Sequence, residues 1–336
     1  MHKAMFWSSK ADKKVQCHLC PRECIIDVGK TGFCGVRQNS GGSLYSLVYA
    51  KPVSIAIDPI EKKPLFHFLP GTRTLSIATV GCNLACKHCQ NWEISQYPRL
   101  RGKIAGEDKT PEQIVEMAVK LGVPSISWTY TEPTVFYEFF YDTAKLAKKR
   151  GIKQVWVSNG FTSIEPIKKA KGLIDAVNID WKGSDKFYRD VCSAWREPIK
   201  KALLTYKKIG AWIEITNLII PTLNDSTKDI EQMCKWVAEN LGKGTPIHFS
   251  AYYPCYKMDK PPTPVATLEK AAAIAEKHLD FVYIGNTFHD KNHTFCPKCH
   301  KMLIERLGNS AQKTELVDGK CPGCGEKIPG VFRQKV

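Results

Sequence analysis

The sequence predicts an α/β fold, a partial (β/α)6 TIM-like barrel with small cysteine-rich metal modules at both termini. Three observations predict it. Strand-like and helix-like segments alternate through the long middle of the chain, as βαβ units do. Eleven of the 14 cysteines fall into three groups of ligand-like spacing. The alternation stops at both ends, where two of those groups lie. The composition, 43% hydrophobic and 24% charged, excludes disordered and collagen-like classes, and 336 residues are ample for a core.

Residues 1–42 read as an N-terminal cysteine-rich metal module in which Gly29, Gly32 and Gly35 supply turns in place of a core. Residues 43–290 read as the barrel with a preceding β-hairpin, and 291–336 as a zinc-ribbon-like module. Within the barrel segment, 44–49 and 53–57 alternate like strands, and 74–80 is the first barrel strand. Thr110 caps a helix over 111–121, with Pro111 and Glu112 in its first turn. A strand over 125–130 leads to a helix over 133–150, closed by Gly151. Strands over 154–158, 176–180, 212–220, 246–252 and 281–284 then alternate with helices over 164–171, 197–209, 226–240 and 267–279. So many repeats exceed a small three-layer sandwich and fit a barrel.

No apolar run approaches the roughly 20 residues of a spanning helix, so no membrane is expected. Residues 1–14 lack a signal-peptide core, which places the chain in the cytoplasm. In that compartment the cysteines argue for metal rather than disulfides. The formal charge of +16 is compatible with nucleic acid or an acidic partner. A lysine-rich solvated surface accounts for it better, and no RNA-binding signature supports the former.

The first barrel strand runs into Gly81-Cys82-Asn83-Leu84-Ala85-Cys86-Lys87-His88-Cys89-Gln90-Asn91-Trp92. The spacing C-x3-C-x2-C puts three thiolates on one loop at the strand's C-terminal end, where barrel active sites form. Three cysteines leave a tetrahedral zinc site incomplete. They suit a [4Fe–4S] cluster with one iron free of protein ligands. Cys296, Cys299, Cys321 and Cys324 form paired knuckles that suit structural zinc, with a rubredoxin-like iron as the alternative. Cys17, Cys20, Cys24 and Cys34 are less regular and leave zinc or an auxiliary iron–sulfur cluster open, with His18 as a spare ligand. Cys255 lies past the sixth strand, as a radical relay or an inert thiol, and is the single catalytic candidate. Cys192 and Cys234 read as packing.

The central motif resembles the signature of the radical S-adenosylmethionine (SAM) superfamily. The resemblance implies that the open iron chelates the methionyl amino and carboxylate groups of SAM. It also implies reductive cleavage of SAM to methionine and a 5′-deoxyadenosyl radical. His88 then corresponds to adenine support, or to a satisfied turn histidine. Glu132, in Tyr130-Thr131-Glu132-Pro133, corresponds to an acceptor for the methionyl ammonium, or to the cap of the helix beyond it. Asn159 lies in a Ser-Asn-Gly turn similar to that of glycyl-radical activating enzymes, although Val157 replaces their usual aspartate. Asp180, Lys182 and His248 match positions near the ribose and carboxylate, or a buried ion pair.

A closer resemblance runs over nearly the whole chain. Residues 58–68 (Asp-Pro-Ile-Glu-Lys-Lys-Pro-Leu-Phe-His-Phe), 89–93 and the terminal cysteine pairs are similar to the AmmeMemoRadiSam-system radical SAM enzymes, pyruvate formate-lyase activating enzyme homologues. It implies a ferredoxin or flavodoxin reductant and Memo-type and AMMECR-type protein partners. It supplies no substrate.

Overall fold

The computed structural model describes residues 1–332, so positions 333–336 of the expected C-terminal module lie outside the described residues. Its centre is an eight-stranded sheet. Seven strands run parallel in chain order: Arg73–Ala78, Ser125–Trp128, Lys153–Ser158, Ala176–Asp180, Trp212–Ile219, Ile247–Ala251 and Val282–Gly285. Ser54–Pro59 pairs antiparallel with the first and forms one edge, and Val282–Gly285 forms the other, so the barrel stays open. Central strands are covered on both faces; all four residues of Ser125–Trp128 are buried, and the Ser127 hydroxyl is paired with that of Thr74 at 2.8 Å. The sequential order means that each helix returns the chain to the adjacent strand, which collects all the strand C-termini on one rim.

The helices form where local chemistry starts and stops them. Thr110 accepts from the Gln113 amide while the Gln113 side chain accepts from the Thr110 amide, a capping box ahead of Pro111–Lys120. Glu197–Ile209 stops at left-handed Gly210. The expected helix over 133–150 opens instead as a 3₁₀ turn, Pro133–Phe136, before the α-helix Tyr137–Lys149, because the Glu132 carboxylate caps it at Thr134. The last expected helix is displaced to Val265–Ala275, starting directly after Pro264. The helical stretch around Cys192, to which the sequence assigns no bounds, is the helix Asp185–Cys192, capped by Ser184.

The N-terminal segment departs most from expectation. It carries two three-stranded sheets, and Val15, Leu19, Ile26, Val36 and Leu44 are buried in the same core as the barrel. Glycine turns therefore accompany a core rather than replace one. The expected boundary after residue 42 falls inside a hairpin, since Arg37–Ser40 pairs with Ser43–Ser46. Buried Arg37 Nη1 donates to both carboxylate oxygens of buried Glu138 at 3.0 Å, tying the segment to the helix Tyr137–Lys149.

At the other end, Thr294–Phe295, Met302–Leu307 and Ser310–Thr314 form an antiparallel sheet. Its Leu303 and Ile304 pack with Phe66, Phe281 and Tyr283 of the barrel. Arg306 Nη2 donates to the Phe66 carbonyl at 2.7 Å, and its guanidinium lies 4.1 Å from the Phe66 ring centroid. His67 closes the same joint. Its Nδ1 donates to the Pro329 carbonyl at 2.7 Å, so its Nε2 accepts from the Tyr283 hydroxyl at 2.6 Å, and the ring is neutral.

Burial holds His67 down to about 4, against the opposing pull of Glu214. Because the folded value lies below the ordinary 6.5, the folded state binds fewer protons between those two values. Its stability is expected to fall by about 3 kcal/mol as pH drops through that window. Denaturant melts of wild type and His67→Gln at pH 7 and pH 4 check this; the variant should lose that part of the pH dependence.

Candidate active site

The strand Arg73–Ala78 delivers the cysteine loop to the C-terminal rim, and the surrounding backbone fixes it there. Gly81 has φ +99°, and a Cβ at this position would stand 2.5 Å from Val36 Cγ1 and 3.0 Å from the Cys34 carbonyl, so only glycine fits. The Ala85 and Lys87 amides donate to the Cys192 and Val191 carbonyls at 3.1 and 2.9 Å. Arg99 donates to the carbonyls of Cys82 and Leu84, and to that of Phe33. On the far side the Lys257 amide donates to the Lys87 carbonyl, and Tyr256 stacks on Trp92 at 5.0 Å.

Cys82, Cys86 and Cys89 meet His88, Asn159, Asp180, Lys182 and His248 in one cleft of about 460 Å³, well within the range of small-molecule sites. Lys182 Nζ pairs with Asp180 Oδ2 at 2.7 Å. Burial pushes the ammonium down, but Asp180, then the Cys86 and Cys192 sulfurs, outweigh it and hold it well above the ordinary lysine value. The cleft therefore offers a fixed cation beside the radical-type thiols. His88 is buried, and burial with Lys182 holds it down to about 3, so its ring is neutral. Its Nδ1 has no partner among the described residues, a buried polar atom left for a ligand. Asn159 Nδ2 donates to Asn83 Oδ1 at 2.9 Å and reaches Cys82 Sγ at 3.7 Å.

Two expected residues stand elsewhere. Glu132 is fully buried behind the cleft lining. Its Oε1 accepts from the Thr134 amide, the Thr134 hydroxyl and Ser158 Oγ, and its Oε2 accepts from the Asn159 amide at 2.8 Å. The geometry is that of a cap and turn brace, in place of a contact to a cofactor ammonium. Cys255 also lies outside the lining; its thiol donates to the Cys89 carbonyl at 3.6 Å and braces the loop from behind. His18 is engaged with Ser8 and Glu23, outside the cysteine pocket.

The sequence reading missed four features. Cys192, taken as packing, places its sulfur with Cys86 Sγ and a His88 ring nitrogen, all within 4.8 Å of one another. Glu214 accepts from His248 Nε2 at 2.7 Å, from the Phe66 and His67 amides and from Trp212 Nε1, and so pins the 58–68 segment beneath the cleft. Buried Lys63 donates to Asp58 at 2.7 Å, and Asp58 also accepts from the hydroxyl of Tyr130. Tyr130 has φ +64°, a strained value for a bulky residue and one typical of functional rims. Asn309, from the hairpin of the C-terminal module, reaches the cleft mouth. The Asp-Pro-Ile-Glu-Lys-Lys run was the available signal for Lys63; nothing in the sequence pointed to Cys192 or Asn309.

The donor sets differ in spacing. Cys296, Cys299, Cys321 and Cys324 hold their sulfurs within 4.8 Å of one another, with pairs at 3.5 and 3.6 Å. Tetrahedral zinc requires edges of about 3.8 Å. Among the described residues no such compact group unites Cys82, Cys86 and Cys89, as suits sulfurs spread around a cluster with one open iron. The trio, the unpartnered His88 nitrogen and the Lys182 cation in one cleft fit a four-iron cluster with SAM beside it.

Comparison with known proteins agrees. Residues 76–237 match the Radical SAM superfamily. An uncharacterized protein of Methanocaldococcus jannaschii is 48% identical over 98% of this chain and 99% of its own length. The pyruvate formate-lyase-activating enzyme of Clostridium pasteurianum is 23% identical over 55% of this chain and 76% of its own. A radical SAM methyltransferase from Sphaerobacter thermophilus superposes with a TM-score of 0.50 and 13% identity, over 66% of this chain and 68% of that one. That likeness shows the fold alone. Among the described residues, no helix is long and apolar enough to cross a membrane.

Proposed function

The chain belongs to the radical SAM superfamily, and we propose that it cleaves SAM reductively and uses the resulting 5′-deoxyadenosyl radical to abstract hydrogen from a protein substrate. It is an enzyme of the radical SAM type, with activating-enzyme-like relatives. The observation that carries the reading is the meeting of Cys82, Cys86 and Cys89 with the Lys182 cation in one cleft. When bound there, a [4Fe–4S] cluster supplies the electron for sulfonium cleavage.

The chain's own groups divide the remaining work. Cys82, Cys86 and Cys89 are the cluster ligands, and the Asn159 amide tunes the Cys82 sulfur by hydrogen bonding. Lys182, kept charged by Asp180, offers a cation for a carboxylate; Asp180 and His248 line the side assigned to the ribose. Neutral His88 supports the adenine and offers it the free Nδ1. Lys63 and Tyr130 face the same cleft and are placed to orient a substrate group.

A protein substrate is favoured by the mouth of the cleft. Exposed Phe288 and Leu307, 88% and 70% accessible, stand two residues from the lining residues Asn286 and Asn309. Apolar side chains exposed at a rim suit a macromolecular face. Memo-type and AMMECR-type proteins are the candidate substrates, ferredoxin or flavodoxin the electron source, and zinc the metal of the C-terminal knuckles. The test is anaerobic incubation of reduced protein with SAM. Formation of 5′-deoxyadenosine and methionine is expected, accelerated by the true substrate protein. A protein with a full cluster that forms neither refutes the reading.

A further inference from the structure

Cys17, Cys20, Cys24 and Cys34 lie in a sheet-forming segment far from the C-terminal knuckles in sequence, and the structure treats them differently. All four line one pocket, together with Leu19, Ile26 and Arg22. Cys17 and Cys34 are buried, while Cys20 and Cys24 are half-buried at its outer side. No disulfide joins any pair.

The spacing of the sulfurs separates the two metals left open by the sequence. Zinc draws four sulfurs to edges of about 3.8 Å, and the C-terminal knuckles hold theirs within 4.8 Å of one another, with pairs at 3.5 and 3.6 Å. In a four-iron cube each sulfur sits outside its own iron, which spreads the four to roughly 6 Å. Among the described residues no three sulfurs of Cys17, Cys20, Cys24 and Cys34 lie within 4.8 Å of one another. The same holds for the Cys82, Cys86, Cys89 trio.

The pocket also abuts the radical loop. Asn83, the residue after Cys82, forms part of its wall, and Arg22 donates to the Asn83 carbonyl at 2.6 Å. Gly81 packs on the Cys34 carbonyl, and one guanidinium, that of Arg99, bridges the carbonyls of Phe33 and Cys82. Arg22 and Arg37 both line the pocket, cations suited to a net-negative four-thiolate cluster. A closed zinc tetrahedron would gain nothing from this position beside the radical loop.

We propose that Cys17, Cys20, Cys24 and Cys34 hold a second four-iron, four-sulfide cluster, fully ligated by the chain and set against the radical loop. This goes beyond the proposed reaction and stands independently of it. The test uses the full chain purified anaerobically, with iron, acid-labile sulfide and zinc counted and Mössbauer spectra recorded. The Cys82→Ser/Cys86→Ser/Cys89→Ser variant is expected to keep about four irons and four sulfides, in a cluster without a distinct open iron. The same variant with no iron and one zinc more than the knuckles account for overturns the proposal. Should that variant prove insoluble, Cys20→Ser/Cys24→Ser decides: iron is expected to fall from about eight to about four per chain with zinc unchanged. Unchanged iron overturns it. Failure of SAM cleavage in a wild-type protein that carries both clusters refutes the reaction alone.

Discussion

Cys86→Ala is expected to abolish 5′-deoxyadenosine formation completely and to remove one four-iron cluster from the protein. The three thiols of the loop are the whole protein contribution to that cluster, and two cannot hold four irons against loss. The fold should survive, because the loop is fixed by its backbone. The Ala85 and Lys87 amides are held by the carbonyls of the helix Asp185–Cys192, and the Cys82 and Leu84 carbonyls by Arg99. A sharper arm comes from Cys192, whose sulfur shares a 4.8 Å group with Cys86 and His88. Cys192→Ala alone is expected to retain the cluster and the cleavage reaction, at a packing cost of about 1 kcal/mol. Activity that persists in Cys86→Ala and disappears in Cys86→Ala/Cys192→Ala would instead assign Cys192 as a ligand. Product analysis by chromatography and iron counts on all three variants read the outcome.

The central barrel was legible because its signals are local and repeated. Apolar strand runs, caps such as Thr110 and stops such as Gly210 each act within a few residues, and the strand Ala176–Asp180 and helix Glu197–Ile209 match expectation at both ends. The short helix Asp185–Cys192 has a local cap in Ser184, but its end is set by tertiary contacts, with its last carbonyls spent on the cysteine loop, so its bounds were not legible. The N-terminal segment was misread for a related reason. Its few apolar residues look too sparse for a core of their own, and they do not form one; they extend the core of the barrel.

Site residues were legible where a motif fixes spacing and illegible where the fold brings distant positions together. The loop cysteines, His88, Asp180 and Lys182 sit at strand ends, so chain order alone places them on the rim. His248 was found, but not its partner Glu214, which lies on the preceding strand facing the same interior. A glutamate in a strand pattern is indistinguishable by sequence from a solvated one. Its burial shows only in the four donors that converge on it. Glu132 poses the inverse problem, since a carboxylate at a strand end fits both a ligand contact and a helix cap.

Glu132→Gln is expected to lower stability by about 1–3 kcal/mol while leaving SAM affinity unchanged. The carboxylate receives four hydrogen bonds and donates none: three end on Oε1, from Thr134 and Ser158, and one on Oε2, from the Asn159 amide. A glutamine keeps one acceptor and brings an NH₂ group. With its oxygen toward Thr134, the NH₂ faces the Asn159 N–H, donor against donor. With the oxygen toward Asn159, the Thr134 amide loses its cap. Burial holds the Glu132 carboxyl above its ordinary value despite those bonds, so neutralising it recovers part of the loss, which keeps the cost moderate. The damage then travels to the site by one route. Asn159 carries the bond to Asn83 and the contact to Cys82 Sγ, so a loosened turn should shift the cluster's reduction potential. Thermal melts, calorimetry with SAM on the cluster-loaded protein and a redox titration together decide between the roles. An affinity loss of about ten- to a hundredfold with an unchanged melting temperature would restore a direct contact between Glu132 and the cofactor ammonium and overturn the cap.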